Sequence, residues 1–202
     1  MAAKVRPAIW RLGSVGLLLS IVLGSGLLAF PAEGAQKCFG KTATIDDSSG
    51  KITGTNGNDV IIGDNGDNDI DGKGGTDRIC SRGGNDVIEA NGKLFADGGE
   101  GDDEIQGTDN ADELQGGDGD DTMYGYGDND LLKGGDDNDT LYGGAGNDTL
   151  KGSDGNDDLF GEEGTDKLFR GSGDDTIDGG ADPDFCSHDN EPLHACDLTL
   201  AP

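Results

Sequence analysis

The chain has 202 residues, of which 39 are glycine, and its 42 acidic against 14 basic residues give a formal net charge of −28. Hydrophobic residues make up only 32% of the chain and aromatic residues 5%. Burial of so little apolar surface cannot by itself offset the entropy of folding and the repulsion between charges. Bound cations would cancel the charge and crosslink the backbone. Nucleic acid is excluded as a partner, because contacts to phosphate need a basic patch.

A secretory signal peptide is predicted over residues 1–35. Three basic residues precede an apolar stretch at 12–30, and the small residues Ala32, Gly34 and Ala35 follow. This order of charged, apolar and small segments is typical of a cleaved signal; Ala32 and Gly34 fit a cut after Gly34, and cuts after Ala32 or Ala35 stay open. The stretch is also just long enough for a membrane anchor, but its glycines and the small-residue site favour cleavage. We expect a secreted chain that has no membrane contact after cleavage.

Four cysteines follow the predicted cleavage point, at Cys38, Cys80, Cys186 and Cys196. An even number of cysteines in an exported chain indicates disulfide bonds. Three pairings are open, and we favour Cys38 with Cys80 and Cys186 with Cys196, because each bond would tie down one end of the region between them. Zinc is the competing explanation, but the cysteines and the two histidines lack the spacing of a zinc site.

A period of nine residues organises that region. Rows of nine begin at Gly54 and, after an eight-residue register break, again at Gly98; the row at 143–151 reads GGAGNDTLK. The sixth position is aspartate in every row but one, which has Asn68, and the eighth is a large apolar residue in nearly every row. The predicted segments are a signal peptide (1–35), a lead or cap (36–53), a first block (54–89), a register break (90–97), a second block (98–187) and a carboxyl-terminal cap (188–202).

These rows resemble the pattern Gly-Gly-x-Gly-x-Asp-x-U-x, where U is large and apolar, of the RTX (haemolysin-type) calcium-binding nonapeptide repeat family. The resemblance covers about residues 54–187. It implies an all-β fold, a parallel β-roll that is a right-handed, β-helix-like solenoid, in which two rows make one coil. The first six residues of a row would form a turn that carries calcium ligands, and the last three would form a short strand. Calcium would lie between successive coils, so paired aspartates would be eighteen residues apart.

The residue types fit this role. Glycine accepts the positive φ of sharp turns, and calcium takes six to eight oxygens from carboxylates and main-chain carbonyls. Several ions are expected, at most about ten, with a weaker site at Asn68 because its amide carries no charge. Without calcium we expect a largely unfolded chain, and with calcium the binding free energy becomes folding free energy. The predicted ligands are Asp59, Asp77, Asp86, Asp103, Asp112, Asp121, Asp130, Asp139, Asp148, Asp157, Asp166 and Asp175.

Other classes of site fit less well. Residues 67–78 open like an EF-hand loop, but Arg78 stands where that loop requires a bidentate glutamate. Paired carboxylates can act as acid and base, yet here they recur identically in row after row, which suits ligands. We therefore expect a calcium-binding protein that is not an enzyme. An extracellular adhesive or interaction module, which calcium merely rigidifies, is the alternative, and a disordered polyelectrolyte is a second one.

The ninth position offers one further feature. Taken every eighteen residues, it places Tyr124, Tyr142 and Phe160 in a line on one outer face of the predicted roll. Stacked aromatic side chains can simply stabilise neighbouring strands. The stabilising role is the favoured interpretation, and the alternative is that the same residues dock a protein partner or a second copy of the chain.

Overall fold

The computed structural model describes residues 37–47, 50–187 and 194–196, so the predicted signal peptide lies outside the described residues. This part contains strands and no helix, and hence no helix that could cross a membrane. The strands are β1 Lys37–Cys38, β2 Lys41–Thr42, β3 Ile45–Asp46, β4 Lys51–Thr53, β5 Val60–Ile62, β6 Asp69–Asp71, β7 Thr76–Gly83, β8 Val87–Glu89, β9 Lys93–Glu100, β10 Glu104–Thr108, β11 Glu113–Asp118, β12 Thr122–Gly127, β13 Leu131–Asp136, β14 Thr140–Ala145, β15 Thr149–Asp154, β16 Asp158–Glu163, β17 Lys167–Ser172, β18 Thr176–Asp178, β19 Phe185–Ser187 and β20 His194–Ala195.

Strands β3 to β19 alternate between two parallel sheets, and β1 pairs with β2 in a separate antiparallel hairpin. Sheet I has eight strands in the order β18-β16-β14-β12-β10-β8-β6-β4, and sheet II has ten in the order β20-β19-β17-β15-β13-β11-β9-β7-β5-β3. Only β20 at the end of sheet II runs antiparallel to its neighbour. Because consecutive strands belong to opposite sheets, the chain winds through about eight coils. The all-β, parallel β-roll predicted from the repeats is confirmed.

Successive coils pair in a register of eighteen residues in the second block. Leu132 in β13 lies opposite Leu150 in β15, and Gly135 lies opposite Ser153. The expectation of three-residue strands is wrong for this block, because β11 to β17 have six residues each. The first three residues of the following row stay extended and continue the pairing, so each turn is shorter than the first six positions of a row.

The register break at 90–97 is a row of eight residues, so the coil that contains it is one residue shorter than the others. In β9, Leu94 pairs with Asp77 and Ala96 pairs with Ile79 of the preceding coil. Both Leu94 and Ala96 are fully buried. Leu94 therefore occupies the place that an aspartate holds in other rows, and the roll passes through the break with its two sheets continuous.

Two apolar ladders fill the space between the sheets. The eighth residue of each row points inward and stacks on its equivalents one coil above and one coil below, as in Leu114, Leu132 and Leu150. Each fully buried side chain of this size contributes about 1.5–3 kcal/mol. The core contains Ile52, Ile61, Ile70, Ile79, Ile88, Leu94, Ala96, Ile105, Leu114, Met123, Leu132, Leu141, Leu150, Leu159, Leu168 and Cys186.

A disulfide bond ties each end of the roll, with the pairing favoured from the sequence. The bonds join Cys38 to Cys80 and Cys186 to Cys196. At the amino-terminal end, the β1–β2 hairpin covers the outer side of β5, where Val60 and Ile62 are buried against Cys38. The lead segment also enters the roll, since β3 pairs with β5 and β4 pairs with β6.

Candidate calcium sites

The aspartates at the sixth position line the inside of the turns on both sides of the roll. Eleven of the twelve predicted ligands are buried, and Asp175 near the carboxyl-terminal end is half-buried. In each ladder the main-chain N–H of one such residue donates to Oδ1 of its equivalent in the next coil. Asp121 donates to Asp139 at 3.0 Å, and Asp130 donates to Asp148 at 2.7 Å. The predicted spacing of eighteen residues therefore brings the expected residues together.

The second carboxylate oxygen, Oδ2, has no hydrogen-bond donor at ten of the twelve predicted ligands. Leaving a buried polar atom unsatisfied costs about 1–3 kcal/mol, and more for a charged group. Buried oxygens without a hydrogen-bond donor are rare in folded proteins. Ten of them, stacked from coil to coil, therefore indicate that an external ligand binds there. They belong to Asp77, Asp86, Asp103, Asp121, Asp130, Asp139, Asp148, Asp157, Asp166 and Asp175.

Main-chain carbonyls surround these oxygens. A Cβ added to Gly134 would lie 2.0 Å from Asp139 Oδ2 and 2.8 Å from the carbonyl oxygen of Gly152 in the next coil. A Cβ added to Gly155 would lie 1.8 Å from the carbonyl oxygen of Asp137 in the preceding coil. The glycines thus keep a space between coils that carboxylate and carbonyl oxygens line, and such a set of hard oxygens fits calcium. Among the described residues, no group of three or more His, Cys, Asp or Glu side chains gathers at one point.

The turns that contain these ten aspartates share an unusual backbone. Their second and fourth residues are left-handed, as in Gly144 and Gly146 with φ of 104° and 155°. Larger residues also adopt this conformation, with φ of 73° at Tyr126 and 66° at Asp128. Non-glycine residues cost about 1–3 kcal/mol in this region. Something else in each turn must compensate for that cost, and a bound cation would do so.

Burial raises the pKa of Asp103, Asp130 and Asp139 to about 8, that of Asp121 to about 7 and that of Asp148 to about 6. Loss of hydration is the main cause, and neighbouring carboxylates raise these pKa values further. The hydrogen bond from the preceding coil lowers them, but by less. The ion-free turns therefore disfavour the carboxylate form, whereas a divalent cation within the turn would favour it.

Asp59 and Asp112 differ from the other predicted ligands. The Thr55 N–H and hydroxyl donate to Asp59 Oδ2 at 2.7 and 2.9 Å, and the Thr108 N–H donates to Asp112 Oδ2 at 2.6 Å. Asn68, the expected weak site, accepts the Asp64 N–H at 3.1 Å. In these three turns a donor of the protein itself hydrogen-bonds to the side-chain oxygen whose equivalent has no donor in the turns of the ten aspartates.

Two features of the array of aspartates were not predicted from the sequence. The first is continuity through the register break, where the Asp86 N–H donates to Asp103 Oδ1 at 2.7 Å. The second is the role of the second position in a row. Thr55, Asp64 and Thr108 occupy that position in the three exceptional turns, but Ser153 and Glu162 also carry oxygens there and are left-handed, so the residue type alone gave no signal.

The predicted aromatic ladder forms on the outer face of sheet I. The rings of Tyr124 and Tyr142 stack with centroids 5.0 Å apart, and those of Tyr142 and Phe160 stack at the same distance. Tyr126 stacks beside Tyr124 at 5.9 Å and is 48% exposed. A shallow groove on this face is lined by Tyr124, Tyr126, Tyr142 and Glu162.

Comparison with known proteins agrees with the geometry of the turns. No curated protein matches the chain significantly. The family model described as the RTX calcium-binding nonapeptide repeat matches in four copies, at residues 53–88, 97–132, 133–168 and 171–186. These matches cover more than half of the chain and coincide with the coils whose turns hold the stacked aspartates. The chain therefore belongs to the family of RTX calcium-binding nonapeptide repeat proteins.

Proposed function

We propose that this chain is an exported protein whose repeats fold into the β-roll when they bind calcium. The observation that carries the proposal is the stack of ten carboxylate oxygens without donors between the coils. Ten carboxylates this close repel one another, so the roll needs a cation in the turns before the coils can lie together. The ligands would be these ten aspartates together with carbonyl oxygens of the same and the following coil.

Calcium suits these turns better than magnesium. The oxygens come from flexible, glycine-rich main chain and from single carboxylates, and calcium accepts such varied sets of six to eight ligands. Magnesium requires a near-ideal octahedron and keeps much of its water. We expect affinities on the order of 10⁻⁴–10⁻³ M, as in other extracellular modules. Millimolar calcium outside cells would then be enough to fold the chain.

Export has separate support. The signal-like segment at 1–35 predicts it. Two disulfide bonds with no free cysteine among the described residues suit an oxidising compartment. We also propose that the chain is not an enzyme, because the same carboxylate recurs in coil after coil with similar surroundings, which suits ligands better than an acid and a base.

Circular dichroism of the chain without residues 1–35 tests the proposal. Calcium should induce β-structure cooperatively, while the same concentration of magnesium should not. Asp139→Asn should raise the calcium concentration at the midpoint of folding several-fold, because it removes one of the buried carboxylates. Asp136→Asn is the matched control, since Asp136 is exposed on the same row and should leave the midpoint unchanged. A chain that is already compact in chelator and does not respond to calcium would refute the proposal.

A second candidate function is that of an adhesive module. The stacked rings of Tyr124, Tyr142 and Phe160 on the outer face of sheet I favour it, because exposed aromatic rows can dock a protein partner or a second copy. Replacing Tyr142 and Phe160 with serine should then abolish calcium-dependent association in sedimentation and leave calcium-induced folding intact. Association that survives this double change would eliminate the aromatic ladder as the docking surface.

A further inference from the structure

Three turns of the roll are closed by donors of the protein itself. In the first, Thr55 donates its N–H and its hydroxyl to Asp59 Oδ2, and its Oγ1 accepts the Gly57 N–H at 3.1 Å. In the second, the Thr108 N–H donates to Asp112 Oδ2, and Thr108 Oγ1 accepts the N–H of Asn110 at 3.1 Å. Each carboxylate oxygen that a cation would take is thus already satisfied.

The third such turn uses an acidic residue in place of threonine. The Asp64 N–H donates to Asn68 Oδ1 at 3.1 Å, and the Asn68 side-chain amide donates to Asp64 Oδ1 at 3.2 Å. Asp64 Oδ1 also accepts the Gly66 N–H at 3.0 Å. This is the same arrangement as in the two threonine turns, with an asparagine at the sixth position.

The backbone separates these turns from those of the ten predicted ligands with an orphaned Oδ2. In the turns of those ten aspartates the second and fourth residues are left-handed, for example Gly99 with Gly101 and Arg82 with Gly84. The corresponding residues of the three closed turns have no positive φ. In each left-handed pair the carbonyl oxygens point at the next coil. For this reason a Cβ added to Gly135 or Gly155 would collide with a carbonyl oxygen of the preceding coil. The closed turns therefore lack both the open carboxylate oxygen and this backbone.

We propose that the turns of Asp59, Asn68 and Asp112 hold no calcium and are closed by Thr55, Asp64 and Thr108 instead. This rests on the proposed function of the other ten turns. On one side of the roll, Leu94 and the closed turn of Asp112 follow each other, so they interrupt the calcium array there. At the amino-terminal end both turns of the first complete coil are closed. The three turns remove three of the pairs predicted from the sequence.

The test is the number of calcium ions bound at saturation, measured by native mass spectrometry and by equilibrium dialysis. Asp112→Asn should bind as many ions as the unmodified chain. Asn68 indicates that an amide can occupy such a closed turn, because its side chain donates to the residue at the second position. Asp130→Asn changes the next aspartate of the same ladder and should bind at least one ion fewer.

The two variants separate the possible failures. If Asp112→Asn loses an ion as Asp130→Asn does, the proposal of a closed turn is overturned. If Asp130→Asn itself loses none, the proposed calcium-binding function of the ten turns fails instead. Should Asp112→Asn not fold at saturating calcium, Asp59→Asn and Asp77→Asn repeat the comparison in the first block. There the loss of an ion from Asp59→Asn would again overturn the proposal.

Discussion

Several residues in the turns hold a backbone conformation that suits glycine better. Ser153 has φ of 96° and Glu162 has φ of 75°, both at the second position of a row where Gly135 and Gly144 stand in others. Left-handed conformations of such residues cost about 1–3 kcal/mol each. The turns accept this cost because their carbonyls must face the neighbouring coil, which links the choice of residue to the calcium sites.

Replacing Ser153 with glycine should therefore stabilise the calcium-bound roll. We expect Ser153→Gly to raise the free energy of unfolding by about 1 kcal/mol, because the left-handed strain disappears. Ser172→Gly is the matched control, since Ser172 has no positive φ, and it should lower that free energy by about 0.5–1 kcal/mol. Urea denaturation at saturating calcium measures both. Equal effects of the two substitutions would contradict the role of the backbone conformation.

The raised pKa values of the buried aspartates predict how the ion-free chain responds to pH. Burial raises the pKa of Asp139 from 3.8 to about 8. Because the folded pKa is the higher one, this group supports the ion-free fold below about pH 4, and that support is lost as pH rises to about 8. In calcium-free buffer we expect β-structure by circular dichroism near pH 4 and its loss by pH 8.

Saturating calcium should reverse this dependence, because the ion binds the carboxylate form only. The calcium-bound roll should be intact at pH 8 and should release its ions in acid. An ion-free chain that gains structure as pH rises would contradict the pKa shifts of the buried carboxyl groups.

The strands depend on their neighbours in the stack. A strand of six residues with one large inward side chain has little stability alone, and it is held by pairing with the coils on both sides. The inward residue decides how much each strand contributes. Leu131 and Leu132 in β13 offer a direct comparison, because Leu132 is fully buried and Leu131 is 36% exposed.

Truncation at these two positions should have different effects. Leu132→Ala should destabilise the calcium-bound roll by about 2–5 kcal/mol, because it leaves a cavity in the apolar ladder. Leu131→Ala should cost less than about 1 kcal/mol, as for most surface changes. Both are measured by urea denaturation with calcium present. Similar losses would mean that the eighth position is not the core of the coil.

The period of nine residues made the strands and turns predictable, but it did not predict the exact lengths of the strands. An aspartate followed two positions later by a large apolar residue, such as Asp139 and Leu141, recurs from row to row. This pattern is local, so it predicts which side chains point inward. Whether Gly134 and Gly135 continue a strand depends on pairing with the next coil, which no single row contains. For the same reason Leu94 could not be placed in an aspartate ladder until the shorter coil was seen.

On the scale of the whole molecule, the amino-terminal end of the roll has stabilising contacts that need no calcium. The disulfide bond between Cys38 and Cys80 closes a loop across 42 residues, which is worth about 4 kcal/mol in the loop-entropy model. The same end has a second apolar cluster, where Val60 and Ile62 are covered by the β1–β2 hairpin. Both turns of the adjoining coil are closed by Thr55 and Asp64. If the ten open turns bind calcium as proposed, only the coils farther along the chain need cations to hold their carboxylates together.

We therefore expect the amino-terminal coil to remain ordered when calcium is removed. Hydrogen exchange in chelator at pH 8 should leave amides of β4 to β6 protected, because the two turns that join these strands, those of Asp59 and Asn68, are closed by donors of the protein itself. Amides of β13 and β15 should exchange at the rate of an unfolded chain, because their turns combine orphaned oxygens with left-handed residues. Reduction of the disulfide bonds should remove the remaining protection. If β4 to β6 exchange as fast as β13 in the oxidised chain, calcium is needed from the first coil onward, and folding cannot begin at this end.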